Sequence, residues 1–199
     1  MITETPDARV SIRSNDTDVL VLLLNYAGRA QNCPKLWIDA GLASTNSRRF
    51  INIAQLVGAL ESDVLEALPG LHAFTGSDFT AAFTNKGKQW PFELMMKSKA
   101  FVRAFGKMGQ EQNLSSDIFR DLEASVCALY GKPHMKSVNT VRFAMFQQHY
   151  APKKDGDPLQ KIKGVNPSSL PPCRPVLVSK IRRANYVTAV WKGSTSYSS

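Results

Sequence analysis

Residues 10–24, VSIRSNDTDVLVLLL, set two carboxylates one residue apart inside an otherwise apolar run. Residues 10–13 are short and β-branched, which predicts a strand, and residues 17–26 are long and apolar enough for the helix or buried segment that follows. Asp16 and Asp18 then fall at the carboxyl end of a strand, where open α/β sheets place their ligand sites. With the backbone still extended there, both side chains point to one side, because strand side chains repeat every two residues. Two acids held that close suit a hard divalent cation, Mg²⁺ or Mn²⁺, which takes carboxylate oxygens and water. A plainer reading of the same residues is that Ser14, Asn15 or Asp16 caps the next helix.

A chain of 199 residues that is 43% hydrophobic can bury a real core and fits one domain, or one and a half. No run approaches the roughly 18 apolar residues of a membrane span. The first residues carry Glu4, Pro6 and Asp7 where a secretory leader would be basic and then apolar. Cys33, Cys127 and Cys173 are odd in number, widely spaced and never arranged as CxxC, which argues against a disulfide frame or a zinc site. The expectation is an intracellular protein with reduced thiols, placed in the nucleus rather than the cytoplasm. Charge is divided unevenly: residues 1–80 carry net −3 and residues 81–199 carry net +12. An excess of that size favours polyanions such as DNA or RNA through counterion release. Its plainer reading is a basic, solvated surface.

Along the rest of the chain, residues 1–9 are polar and expected to fray. Residues 28–34 form a loop punctuated by Gly, Asn and Pro. KLWIDA at 35–40 and RRFINI at 48–53 could pair as an antiparallel hairpin. Asp39 has no partner nearby in sequence and is taken as structural or exposed. Helical spacing covers 53–60 and 64–74, with Ser62 placed to cap the second helix and Pro69 to disturb it. Thr75-Gly76-Ser77-Asp78-Phe79 follows. Its glycine lets the chain turn sharply beside a ligand, and Asp78 is a third carboxylate. Alternatively, Ser77 or Asp78 caps a helix through 79–83.

The order SNDTDVLVLLL, a strand hairpin, FINIAQLVGALES and then HAFTGSDF resembles the catalytic core of the flap endonuclease and XPG nucleases of the PIN-like superfamily. In that family a strand ends in an acid-x-acid pair, and a Gly-(Ser/Cys)-Asp-(Tyr/Phe) motif follows a helical segment. The resemblance covers roughly residues 10–90 and implies that Asp16, Asp18 and Asp78 bind Mg²⁺ or Mn²⁺ for phosphodiester hydrolysis. Two parts of the family's pattern are missing: a first strand with its own acid, and an acidic helix before the acid-x-acid strand. Glu4 and Asp7 stand too near the start to supply them. Two-metal catalysis usually takes more than three carboxylates. The resemblance therefore implies the carboxyl-terminal part of such a nuclease, or a non-catalytic nucleic-acid-binding or assembly module derived from one. LHAFTGSDFTAAFTNKGK and LPPCRPVLVSKIRRANYVTAVW also look like uncharacterised eukaryotic proteins of mobile-element character.

Lys86, Gly87 and Lys88 form a short basic turn before a helix, where exposed amides beside two lysines attract a phosphate. The corresponding hairpin of flap nucleases grips the DNA backbone. Residues 90–105 read as one amphipathic helix with Lys97, Lys99 and Arg103 on its basic face. Further helices are expected over 115–130 and 138–149. His72, His134 and His149 lack partners at metal-ligand spacing and are read as structural. Residues 151–175 are rich in proline and lysine and read as an extended connector. Residues 176–191 return to helical spacing, able to fold back on the core or to lie along a nucleic acid, and residues 193–199 read as a low-complexity tail. The expected architecture is α/β: a partial three-layer, PIN-like (Rossmann-like) core over 1–90 and a mainly helical basic extension over 91–150. The connector at 151–175 and the basic helix with its tail at 176–199 complete it.

Overall fold

A computed structural model describes residues 9–31, 35–150 and 166–193. Three strands, β1 (Arg9–Arg13), β2 (Lys35–Ala40) and β3 (Arg49–Asn52), form one sheet in the order β1-β2-β3. β1 runs parallel to β2, with Val10 opposite Leu36 and Ile12 opposite Ile38, and β3 returns antiparallel with Ile51 opposite Ile38. The antiparallel hairpin expected from sequence is present. A parallel pair needs a crossover, and α1 (Thr17–Arg29) provides it. After β3 come α2 (Ile53–Gly58), α3 (Ser62–Thr75), α4 (Gln89–Met96), α5 (Lys99–Lys107), α6 (Ser116–Leu129), α7 (Val138–Tyr150) and α8 (Arg174–Lys192). The chain is thus a mixed α/β protein in which a small three-stranded sheet is outweighed by eight α-helices among the described residues. None of those helices is long and apolar enough to cross a membrane.

Two apolar clusters share α3. In one, Leu36, Ile38 and Ala40 of the sheet meet Val21 and Leu24 of α1, Ile53 of α2, and Leu65 and Leu68 of α3. In the other, Leu71 and Phe74 of α3 meet Phe105 of α5, Leu122 and Val126 of α6, and Leu177, Ile181 and Val187 of α8. α8 is therefore part of the core. Burying a Leu or Ile side chain is worth roughly 1.5–3 kcal/mol, which decides between the two sequence readings in favour of a helix folded back on the core. It begins at Arg174, and the residues just before it are anchored too: Leu170 is buried, and Arg142 donates to the Pro171 carbonyl at 2.6 Å. The extended connector predicted over 151–175 therefore does not describe residues 166–175. The expectations for residues 1–8, 32–34, 151–165 and 194–199 lie outside the described residues.

Local chemistry corrects several boundaries. The single helix predicted over 90–105 is broken at residues 97–98, where the Ser98 hydroxyl accepts from Phe101 N and starts α5 afresh. Ser62 is the first helical residue rather than the cap, which is Glu61. Pro69 stays inside an unbroken α3. Its missing N–H leaves the Leu65 carbonyl without an intrahelical donor, and Asn25 of α1, buried, donates its side-chain amide there at 3.1 Å. Asp39 is not exposed. It is 8% accessible, accepts from Arg48 at 2.9 and 2.8 Å and from Arg13 at 2.7 Å, and the Arg48 guanidinium holds its carboxyl below the usual range.

Two outcomes follow. Asn25→Ala leaves the buried Leu65 carbonyl unpaired and should cost about 1–3 kcal/mol. In a Pro69→Ala background, whose restored N–H reaches that carbonyl, the same change should cost clearly less; denaturant melts of the four proteins measure the difference. The stability contributed by Asp39 is complete above its unfolded value of 3.8 and is lost as pH falls through the lower folded value. Melting temperatures of Asp39→Asn should accordingly fall less steeply with acid than those of the wild type.

Candidate metal centre

The first two acids are placed by a helix start. Asp16 is the N-cap of α1, with extended backbone (φ −82°, ψ 126°), and its Oδ1 accepts from Asp18 N at 2.8 Å. Asp18 lies in the first helical turn, where the helix dipole favours a negative charge. Ser14 Oγ accepts from Asp16 N at 3.1 Å, and Asn15 Oδ1 accepts from Gly41 N at 2.6 Å, which ties this corner to the end of β2. The capping reading and the ligand-site reading are compatible. Extended-strand alternation does not describe the pair, because the helix has begun by Asp18. What brings the two side chains together is the cap.

Asp78 comes from the far end of α3. That helix ends at Gly76, whose φ of 127° is open to glycine and whose added Cβ would stand 2.7 Å from the Ala82 backbone. A tight turn follows, with Ser77 N donating to Thr80 O at 3.0 Å and Thr80 N to Ser77 O at 3.2 Å. The alternative helix through 79–83 does not form. Asp78 sits exposed on that turn, and one carboxylate oxygen each of Asp16, Asp18 and Asp78 lie within 4.8 Å of one another. Asp16 uses Oδ1 for the cap and Asp18 uses Oδ1 for His72, so each keeps its second oxygen. Three carboxylates with free oxygens, beside water, form a donor set suited to a hard cation.

His72, read as structural from sequence, lies one turn before Gly76 with Nε2 2.5 Å from Asp18 Oδ1. A carboxylate only accepts, so the ring Nε2–H donates. Burial holds this imidazole below its ordinary pKa, against the pull of Asp18 and with the push of Lys88, and the Trp191 ring lies 5.8 Å from it. A ligand carboxylate oriented by a buried imidazole is a common support for a metal site. The only sequence signal for it was that His72 belongs to the same HAFTGSDF string as Asp78; its partner lies in another helix.

Three cations hold the Asp78 loop by its carbonyls. Lys88 Nζ donates to Gly76 O, and to His72 O at 3.3 Å. Lys180 Nζ donates to Ala81 O while lying 4.6 Å from the centre of the Phe83 ring, and Arg183 Nε donates to Phe79 O at 2.6 Å. Lys180 and Arg183 belong to α8. Burial, with Lys88 nearby, brings Lys180 down to about 8. The sequence-predicted phosphate contacts are distributed differently. Lys88 is turned toward the acid loop, and Lys86 lies over the Tyr130 ring at 4.4 Å. Gly87 is exposed in a left-handed turn (φ 55°), and Lys97 caps the far end of α4 with its amine 5.5 Å from the Trp90 ring centre. Arg103 pairs with Asp121 of α6 at 2.9 Å. Of the predicted phosphate contacts Lys88 lies beside the acids, Lys86 is engaged on Tyr130, and Lys97 and Arg103 are engaged on other helices.

Comparison of the chain with protein-family models, curated proteins and solved structures found no match.

Lys180→Met keeps an apolar stem between Phe74 and Phe83 and removes the tether on Ala81. It should weaken Mn²⁺ binding at the acids by about tenfold, read by calorimetry. Relative to the Met variant, the wild type should gain stability as pH rises from about 8 toward the ordinary lysine value of 10.5, because the unfolded chain still holds on Lys180 the proton that the folded chain has released.

Proposed function

We propose that this chain is a divalent-metal-dependent nuclease, hydrolysing phosphodiester bonds of DNA or RNA at Asp16, Asp18 and Asp78. The observation that carries the reading is the convergence of three carboxylates, delivered by a helix start and by a turn far away in sequence, within 4.8 Å of one another. The motif order that resembles the flap endonuclease and XPG nucleases supports it, as does the parallel β1–α1–β2 crossover, which sets the two helix-start acids at the carboxyl end of β1.

Bound Mg²⁺ or Mn²⁺ supplies Lewis acidity toward a phosphoryl oxygen and lowers the pKa of a coordinated water. The side chains do the rest. The three carboxylates offer one oxygen each; His72 fixes the rotation of Asp18, and the Asp16 cap fixes its own carboxylate relative to Asp18. Lys88 places positive charge behind the acid loop, close enough to interact with Asp18. The net charge of +12 on residues 81–199 draws a polyanion toward this corner.

The number of acids favours a second reading. Three carboxylates suit one ion better than the pair of ions about 3.5–4 Å apart that two-metal hydrolysis uses, so the site would also serve a non-catalytic nucleic-acid-binding module. Cleavage of single-stranded and branched substrates with Mn²⁺ separates the two. The nuclease reading expects turnover that Asp18→Asn abolishes, and binding without turnover selects the module. Calorimetric titration of Mn²⁺ into the wild type should give heat that the variant with all three aspartates changed to asparagine lacks. Equal heats from both would end the metal assignment.

A further inference from the structure

A second site lies on α8, away from the acids. Between α8 and the start of α6 the surface opens into a cavity of about 720 Å³, within the range of small-ligand sites. Arg120, Arg174 and Arg182 line it together with Asn113, Ser116 and Asn139, and no acidic side chain does. The cations differ in availability. Arg174 is partly neutralised by the buried Glu123 at 3.7 Å, and Arg120 shares an exposed pair with Asp117, which water screens. Arg182 is exposed and has no acidic partner among the described residues. α8 begins here, but Arg174 N donates to Asn139 Oδ1 at 2.9 Å and Pro175 has no N–H, so the arginine side chains rather than the helix start supply the donors of the cavity. Guanidinium groups match phosphate oxygens in a paired geometry that favours them over other cations for this task.

We propose that this cavity holds backbone phosphates of a nucleic-acid strand. The phosphate chemistry rests on the cavity alone, and the choice of a strand rests on the nuclease reading above. Position supports the choice. Arg182 adjoins Arg183, which holds the Asp78 loop through Phe79 O, so the cavity is set off from the acids by about the 10–12 Å width of one helix. A strand of a few nucleotides spans that separation, whereas a free phosphate or a mononucleotide does not.

The test is anisotropy of a labelled twelve-nucleotide single strand in EDTA, which removes metal chemistry from the measurement. The full chain should bind, and Arg120→Glu with Arg182→Glu should lose about tenfold or more in affinity and about two units of salt slope. A charge-matched control on α5, Lys99→Glu with Lys107→Glu, should lose much less. No binding by the wild type, or equal losses in both variants, overturns the site. If pyrophosphate or ATP binds as tightly as the strand and with the same dependence on Arg182, the occupant is not a strand. Should the Glu variants unfold, hydrogen exchange on the wild type decides: residues 112–120 and 174–182 slow on adding the strand, and no protection there overturns the proposal. None of these outcomes depends on Mn²⁺ binding at the aspartates, so the two readings fail separately.

Discussion

The candidate site depends on how α1 and α3 lie against each other. They run antiparallel, with Asp18 meeting His72 at one end and Asn25 meeting the Leu65 carbonyl further along. Pro69 leaves that carbonyl open and Asn25 fills it, so a gap in one helix is closed by a side chain of the other. Gly28 lets the two approach, since a Cβ there would come within 2.9 Å of the Leu65 side chain. A buried polar pair of this kind fixes register more sharply than apolar packing, because a slide of one turn, about 5.4 Å, would strand both groups without partners. The same slide would part Asp18 from His72 and carry the Asp78 turn out of reach of Asp16.

A second constraint is the use of cations as internal fasteners. Lys88, Lys180 and Arg183 hold carbonyls of the acid-bearing loop, Lys192 pairs with Glu66 at 2.7 Å and donates to Gly106 O at 2.8 Å, and Arg13 and Arg48 close on Asp39. The basic composition of the second half therefore overstates the charge on offer to a polyanion. Lys192 neutralises Glu66 of α3, and Lys88, Lys180 and Arg183 brace the turn on which the third carboxylate sits. This gives α8 two roles: its apolar face completes the helical core, and its polar face carries tethers to the Asp78 loop on one side and the arginine-lined cavity on the other.

Much of the local structure was legible. A short β-branched run marked β1, KLWIDA read as β2, apolar length marked α1 as a helix or buried segment, apolar spacing marked α3, α6 and α7, and β2 and β3 were readable as a possible antiparallel hairpin. Asp16, Asp18 and Asp78 could be named because each sits beside a signal of its own, a cap or a glycine turn. Other features were hidden for identifiable reasons. The break between α4 and α5 falls where apolar spacing continues unbroken, and one serine hydroxyl decides it. Asp39 looked unpartnered because Arg13 lies on the neighbouring strand and Arg48 beyond a turn. His72 looked inert because its partner is in a different helix.

The sequence by itself determined the elements and the local poses: a helix start that presents Asp16 and Asp18, a glycine turn that presents Asp78, and an amphipathic last helix. These follow from backbone sterics, capping bonds and apolar periodicity, each of which acts within a few residues. Only the tertiary structure decided that the three acids meet, that His72 and Lys88 stand behind them, and that α8 holds their loop. Those outcomes depend on the register between α1 and α3 and on where α8 docks, and both are set by buried contacts between segments that the chain keeps far apart.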